Sequence, residues 1–128
     1  MGIEEYPVAE IDEDGDKVWY LKSKGKCYYH NESGPAVIMK DGSKLWYVND
    51  KRHRTDGPAV VHPNNTRQWY LNGQLHRIDG PAMEWFNGHE WYLYDKPLPT
   101  QEVDDWIEEN NIDLKTEEGQ VAFVLRWS

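Results

Sequence analysis

The heptapeptide His-Arg-x-Asp-Gly-Pro-Ala occurs twice, as His53-Arg54-Thr55-Asp56-Gly57-Pro58-Ala59 and as His76-Arg77-Ile78-Asp79-Gly80-Pro81-Ala82. A degraded copy, His30-Asn31-Glu32-Ser33-Gly34-Pro35-Ala36, precedes them, and the three copies start 23 residues apart. A fixed period of that size specifies a repeat array, in which each unit buries its apolar face only against its neighbours.

A second element interleaves with the first: Trp19-Tyr20-Leu21, Trp46-Tyr47-Val48, Trp69-Tyr70-Leu71 and Trp91-Tyr92-Leu93. Between each Pro-Ala and the next Trp-Tyr lies a turn signal, Asp41-Gly42, Asn64-Asn65 or Asn87-Gly88. These residues tolerate positive φ, so each unit reads as a hairpin: a strand after Pro-Ala, a tight turn, then the Trp-Tyr strand. The piece from Pro7 to Leu21, turning at Asp14-Gly15, reads as a diverged first hairpin. In the linking segments, Asp-Gly-Pro punctuates the entry to the next strand. The first linker, from Lys22 to Tyr29, is longer and basic and is the loop expected to protrude.

Strand alternation puts Trp and Leu on one face and Tyr on the other. Ala36, Ala59 and Ala82 align with the Trp/Leu face, which makes it the expected core. Val37, Val60 and Met83 fall on the tyrosine face, a mixed surface for a partner or the C-terminal segment to cover. The third hairpin is one residue shorter from Pro81 to Trp91 than its two predecessors, which moves Glu84 to the tryptophan side.

The repeat ends near Tyr94, and Pro97-Leu98-Pro99 breaks the pattern. Thr100 has the character of an N-cap, and Val103, Trp106 and Ile107 give the stripe of a short helix through about Glu109. A second helix is expected after Thr116, with Val121, Val124 and Leu125 inward; a strand from Val121 to Trp127 is the alternative.

Only 38% of the residues are hydrophobic, but seven Trp and eight Tyr supply a thin aromatic core. The net charge of −9 is unevenly spread: −7 over residues 1–16, +4 over 17–99 and −6 over 100–128. Acidic ends around a mildly basic body disfavour duplex nucleic acid; they aid solubility or steer the chain toward a basic partner. A lone cysteine, Cys27, excludes an intrachain disulfide. The start Met1-Gly2-Ile3-Glu4 lacks the basic and apolar regions of a signal peptide, and a soluble cytoplasmic protein is expected.

His30, His53 and His76 recur at one repeat position. A metal ladder is the sharp reading. A ligand set, however, is assembled once, whereas a structural part recurs in every copy, so each His is expected to close its turn on a backbone carbonyl or on the Asp of its motif. At the joints Asp is expected to cap the turn while the stem of Arg54 or Arg77 covers aromatic surface. Neither paired carboxylates nor a phosphate loop nor a Ser/His/Asp set is legible, and no catalytic, metal or cofactor residue is assigned. Tyr20, Tyr47, Tyr70 and Tyr92, with Lys22, Lys24 and Lys26 of the first linker, are the candidate partner-binding residues. Stacking of single-stranded bases, or choline and carbohydrate binding, are alternatives for the aromatic ladder.

Tandem Trp-Tyr-Leu-Asn-Gly-x-x-His-Arg-x-Asp-Gly-Pro-Ala units resemble the variant MORN-type repeats of bacterial and phage proteins, over residues 17–94. The resemblance implies successive β-hairpins in an elongated sheet and no catalytic residue. It further implies a protein-binding role, as an antitoxin or a phage-encoded inhibitor of a host or toxin protein, or binding to an anionic membrane surface. The chain lacks the Gly-x-Gly ending of ordinary MORN repeats, and its charge of −9 also disfavours the lipid role. The expected architecture is mostly β: an elongated, twisted antiparallel sheet of about four hairpins over residues 1–96. One or two short helices in residues 97–128 cap it within a single domain.

Overall fold

The computed structural model describes residues 5–128, so the reading of the start Met1-Gly2-Ile3-Glu4 lies outside them. Strands β1 (Glu5–Ile11) and β2 (Lys17–Ser23) form the first hairpin, turning with Gly15 at φ 86°. β2 then pairs with β3 (Lys26–Tyr29) across a two-residue turn, Lys24 at φ 47° and Gly25 at φ 78°.

From here two kinds of hairpin alternate. β4 (Val37–Ile38) and β5 (Lys44–Leu45) are followed by the short pair β6 (Tyr47–Val48) and β7 (Lys51–Arg52). β8 (Val60–Val61) and β9 (Arg67–Gln68) are followed by β10 (Tyr70–Leu71) and β11 (Gln74–Leu75). β12 (Met83–Trp85) and β13 (Gly88–Glu90) are followed by β14 (Tyr92–Leu93) and β15 (Lys96–Pro97). The main sheet is antiparallel, in the order β1-β2-β4-β5-β8-β9-β12-β13 with β3 beside β2, and the three short pairs form separate two-stranded ribbons.

The expected architecture is therefore present, with one correction: the segment read as a linker is itself a hairpin, and in the last three units the Trp-Tyr strand is broken at its tryptophan, whereas Trp19 lies inside the continuous β2. The Trp46 N–H donates to the Ala59 carbonyl of the next unit (2.8 Å), while the Trp46 carbonyl accepts from the His53 N–H of its own unit (3.1 Å). Trp19 bonds Ala36 and His30 in the same way, and Trp69 bonds Ala82 and His76. Trp19, Trp46 and Trp69 are each a point where the chain changes pairing partner. The signal was in the sequence: Asn49-Asp50, Asn72-Gly73 and Tyr94-Asp95 adopt positive φ at both positions, the geometry of a two-residue hairpin turn.

Register fixes two cross-strand rows. Glu10, Val18, Val37, Leu45, Val60, Gln68, Met83 and Glu90 pair successively along one row. Residues one position along each strand, such as Lys17, Ile38, Lys44 and Val61, make a second row on the opposite face. Val18, Val37 and Val60 are buried. Trp19, Trp46 and Trp69 are only half-buried, so the expected Trp/Leu core holds just for Trp91 and Leu93. Strand parity cannot be carried through the change of partner at Trp19, Trp46 and Trp69, and the alanines, fully buried, stack the units instead.

In the shortened third hairpin, Glu84 Oε1 lies 3.5 Å from Arg77 Nη1, and Arg77 stands over Trp69, which puts Glu84 on the tryptophan side as expected. The cap is α1 (Thr100–Glu109) and α2 (Glu117–Trp127). Pro99 occupies the N-cap of α1 without a side-chain bond, and Thr100 is already helical, a shift of one residue. Thr116 caps α2 by accepting from the Gly119 N–H at 3.0 Å.

The phase of α2 corrects another expectation. Val121 and Leu125 are exposed, Val124 packs against the core as expected, and Gly119, Phe123 and Trp127 face inward, spaced i, i+4, i+8. Two large aromatics bury more surface than two aliphatics, and Gly119 allows α2 to touch the Asp113 backbone. Trp91, Leu93, Leu98, Val103, Phe123 and Trp127 form the core, with Trp106 and Ile107 packed against it. No helix among the described residues is long and apolar enough to cross a membrane.

Candidate functional site

Every repeated polar side chain of the joint has an intramolecular partner. His30 Nδ1 accepts from the Asn49 N–H, His53 Nδ1 from the Asn72 N–H and His76 Nδ1 from the Tyr94 N–H, each at 3.0 Å. The expected role in the scaffold stands, but the bond runs to the turn of the following unit rather than to a carbonyl or to the motif's own Asp. An Nδ1 acceptor requires a ring without a proton on that nitrogen. Burial pushes the His76 pKa down, in the same direction, and its ring stacks on Tyr94 at 3.9 Å.

The arginines do more than cover aromatic surface with their stems. The Arg54 guanidinium lies 4.0 Å from the Trp46 ring centroid, donates to Asp56 Oδ1 (2.8 Å) and to the Pro58 carbonyl (3.1 Å). Arg77 repeats this on Trp69 at 3.8 Å, with Asp79 at 2.7 Å and the Pro81 carbonyl at 3.0 Å. Asp56 thus serves the guanidinium instead of capping the turn, and the hydrogen bond from Arg54 holds its carboxyl below the ordinary range. The motif glycine completes the slot: a Cβ on Gly57 would lie 2.9 Å from Arg54 Cζ, and one on Gly80 2.6 Å from Arg77 Cζ. Arg, Asp, Gly and Pro of the heptapeptide are one device that holds a cation on a tryptophan.

The tyrosines form a surface of their own. Tyr20 and Tyr92 are half-buried, and their hydroxyls donate to Glu10 (3.1 Å) and Glu90 (2.9 Å), the two ends of the valine row. Tyr47 and Tyr70 are joined through Arg52, whose Nε donates to the Tyr47 hydroxyl (3.3 Å) and whose Nη1 donates to the Tyr70 hydroxyl (3.4 Å). Tyr29, outside the sequence-derived set, extends the stripe with its ring 5.3 Å from that of Tyr47. Burial, then the bond to Glu10, raises the Tyr20 pKa; for Tyr92 the bond to Glu90 leads. Both hydroxyls remain donors at neutral pH.

The three lysines do not share one face. Lys22 shares the face of Tyr20 on β2, Lys24 sits in the turn, and Lys26, opposite Ser23, lies on the other face. Tyr20, Tyr29, Cys27, Val18 and Asp50 line a shallow depression of about 450 Å³ beside the valine row. Arg52 and Tyr29 were missed because both sit in segments read as linkers.

Asp12, Asp14 and Asp16 bring carboxylate oxygens within 4.8 Å of one another, but Asp12 Oδ1 already accepts from the Asp14 and Asp16 N–H groups and shapes the first turn. The helices are built on the Trp91 and Leu93 side of the last unit, where Trp91 Nε1 donates to Asp104 at 2.8 Å. Comparison of the chain with protein-family models, curated proteins and solved structures returns no match.

Proposed function

We propose that the chain is a non-enzymatic protein-binding module that presents the tyrosine stripe to a partner protein. The observation that carries this reading is the Tyr29–Tyr47–Arg52–Tyr70 chain, in which neighbouring units orient one another's aromatic groups. Tyrosines held in place beforehand lose little conformational freedom on binding and supply apolar area with a polar tip. The commitment of each joint histidine, arginine and aspartate to the scaffold supports a role without catalysis. Under the MORN-type resemblance, an antitoxin or a phage-encoded inhibitor, working in a bacterial cytoplasm, is the form such a module takes.

The test is affinity capture with the wild-type chain, followed by titration of the purified captured protein against Tyr47→Ala, Tyr70→Ala and Tyr92→Ala variants shown folded by circular dichroism. A loss of about tenfold or more in affinity for the first two is expected. Unchanged affinity rejects the stripe as the contact. Salt-sensitive sedimentation with anionic vesicles, lost on neutralising Lys22, Lys24 and Lys26, would favour a membrane-surface role instead.

A further inference from the structure

Four units present a tryptophan at the same place, and three of these rings are covered from within the chain. Arg54 covers Trp46, Arg77 covers Trp69, and Trp91 is buried against Phe123 of the helical cap. Trp19 is the exception: among the described residues no cation stands over its ring. Asn31 holds the arginine position, and its Nδ2 donates to the Pro35 carbonyl at 3.0 Å, the bond that a guanidinium makes in the next two units. Ser33 holds the aspartate position. Gly34 keeps the motif glycine, where an added Cβ would meet nothing closer than Asn31 Nδ2 at 3.8 Å. Asn31 thus takes the carbonyl of the slot, while the place of the guanidinium over the ring is left open.

The space above Trp19 is an open depression of about 410 Å³, lined by Pro7, Ala9, Leu21 and Glu32 among others. Ala9 stands directly opposite Trp19 in the β1–β2 register, so the smallest side chain leaves the ring accessible. Pro7, paired with Leu21, adds apolar surface on the same face. The Glu32 carboxylate is exposed at the rim, one residue before the place of the aspartate, with its Oε1 3.6 Å from His30 Nε2. Residues 1–16 add seven acids and no base at this end of the chain.

We propose that the open face of Trp19 is a receptor for an arginine side chain presented by a basic partner protein. The guanidinium lies on the indole as Arg54 lies on Trp46, its stem rests on Pro7 and Leu21, and Glu32 supplies the counter-charge that Asp56 supplies in the intact joint. Lysine fits less well, because a compact, strongly hydrated ammonium lacks the flat face that stacks on a ring. The site is separate from the tyrosine stripe and stands whether or not that stripe binds anything.

The probe is N-acetyl-arginine amide, titrated into the full-length chain while the indole N–H resonances are followed by heteronuclear NMR. Trp19 is expected to shift in a saturable manner, with the lysine and citrulline counterparts binding about threefold or more weakly. The double substitution Asn31→Arg with Ser33→Asp rebuilds the joint and is expected to abolish the shift by filling the slot from within. Tyr47→Ala and Tyr70→Ala leave it unchanged. Equal shifts from lysine and arginine, movement of Trp46 or Trp69 in place of Trp19, or full binding by the rebuilt joint would each overturn the assignment.

Discussion

Replacing the three motif glycines by alanine, one at a time, tests the account of the joint, because they differ in what stands beside them. None of the three has the left-handed backbone that glycine alone tolerates, so conformational strain does not separate them. At Gly57 a Cβ would lie 2.9 Å from Arg54 Cζ, at Gly80 2.6 Å from Arg77 Cζ, and at Gly34 nothing is closer than 3.8 Å. The obstructed atom is the end of a flexible side chain, so the guanidinium moves and the backbone stays. The loss is then the seat of the guanidinium: a cation–π contact of about 0.5–2 kcal/mol and a charged hydrogen bond to a carbonyl of about 1.5–3 kcal/mol. Against this stands a gain of about 0.4–1 kcal/mol from the stiffer unfolded chain.

Gly57→Ala should therefore destabilise by about 1–4.5 kcal/mol. Gly80→Ala should cost at least as much, since Arg77 also reaches Glu84. Gly34→Ala should be neutral or stabilise by up to about 1 kcal/mol. In urea unfolding, with a slope of roughly 1–3 kcal/mol per molar, the first two midpoints fall by about 1 M and the third does not. In an Arg54→Met background Gly57→Ala should lose its cost. Equal effects at all three glycines, or a cost that persists without Arg54, would refute the mechanism.

Three further predictions follow from the scaffold. His76 is half-buried and accepts the Tyr94 N–H, so its folded pKa lies below the ordinary value of about 6.5. The folded state then resists protonation: the stability is fully present above the unfolded pKa and declines as pH falls below it toward the folded value. Urea midpoints should drop between pH 7.5 and 5, with a shallower slope in His76→Asn. For the phase of α2, Phe123→Ala should cost about 3–5 kcal/mol, whereas Leu125→Ala, at an exposed site, should stay within about 0.5 kcal/mol, both read by urea unfolding. Gly119→Ala would drive a Cβ onto the Asp113 carbonyl oxygen; thermal unfolding and near-ultraviolet dichroism should show a loosened cap while the sheet signal persists.

The repeat period, the turn positions and the two helices were legible because each depends on local signals: positive-φ dipeptides, strand alternation and an N-terminal cap. The change of partner at Trp19, Trp46 and Trp69 was not, because it is set by a bond to the next unit's alanine carbonyl, and single-strand parity contains no term for that. Val121 and Leu125 fit an inward stripe as well as Phe123 and Trp127 do; the larger area of the two aromatics and the close approach at Gly119 decide between them. Of the candidate surface, the tyrosines were found by their recurrence. Arg52, which ties two of them together, sits in a segment read as a linker. The vacancy at Trp19 was present in the first, degraded copy of the motif, but an asparagine in place of an arginine has meaning only once the arginine's seat is known.

The partner switch at Trp19, Trp46 and Trp69 also makes the array a ruler. Adjoining units are joined by the same set of hydrogen bonds, and each unit contributes two strands to the main sheet. Inserting one 23-residue unit would therefore lengthen the sheet by two strand spacings, about 10 Å, without new geometry at any joint. The Trp19 depression would stay at one end and the helical cap at the other, with only their separation changed. Copy number sets the reach of such a chain independently of what its two ends recognise.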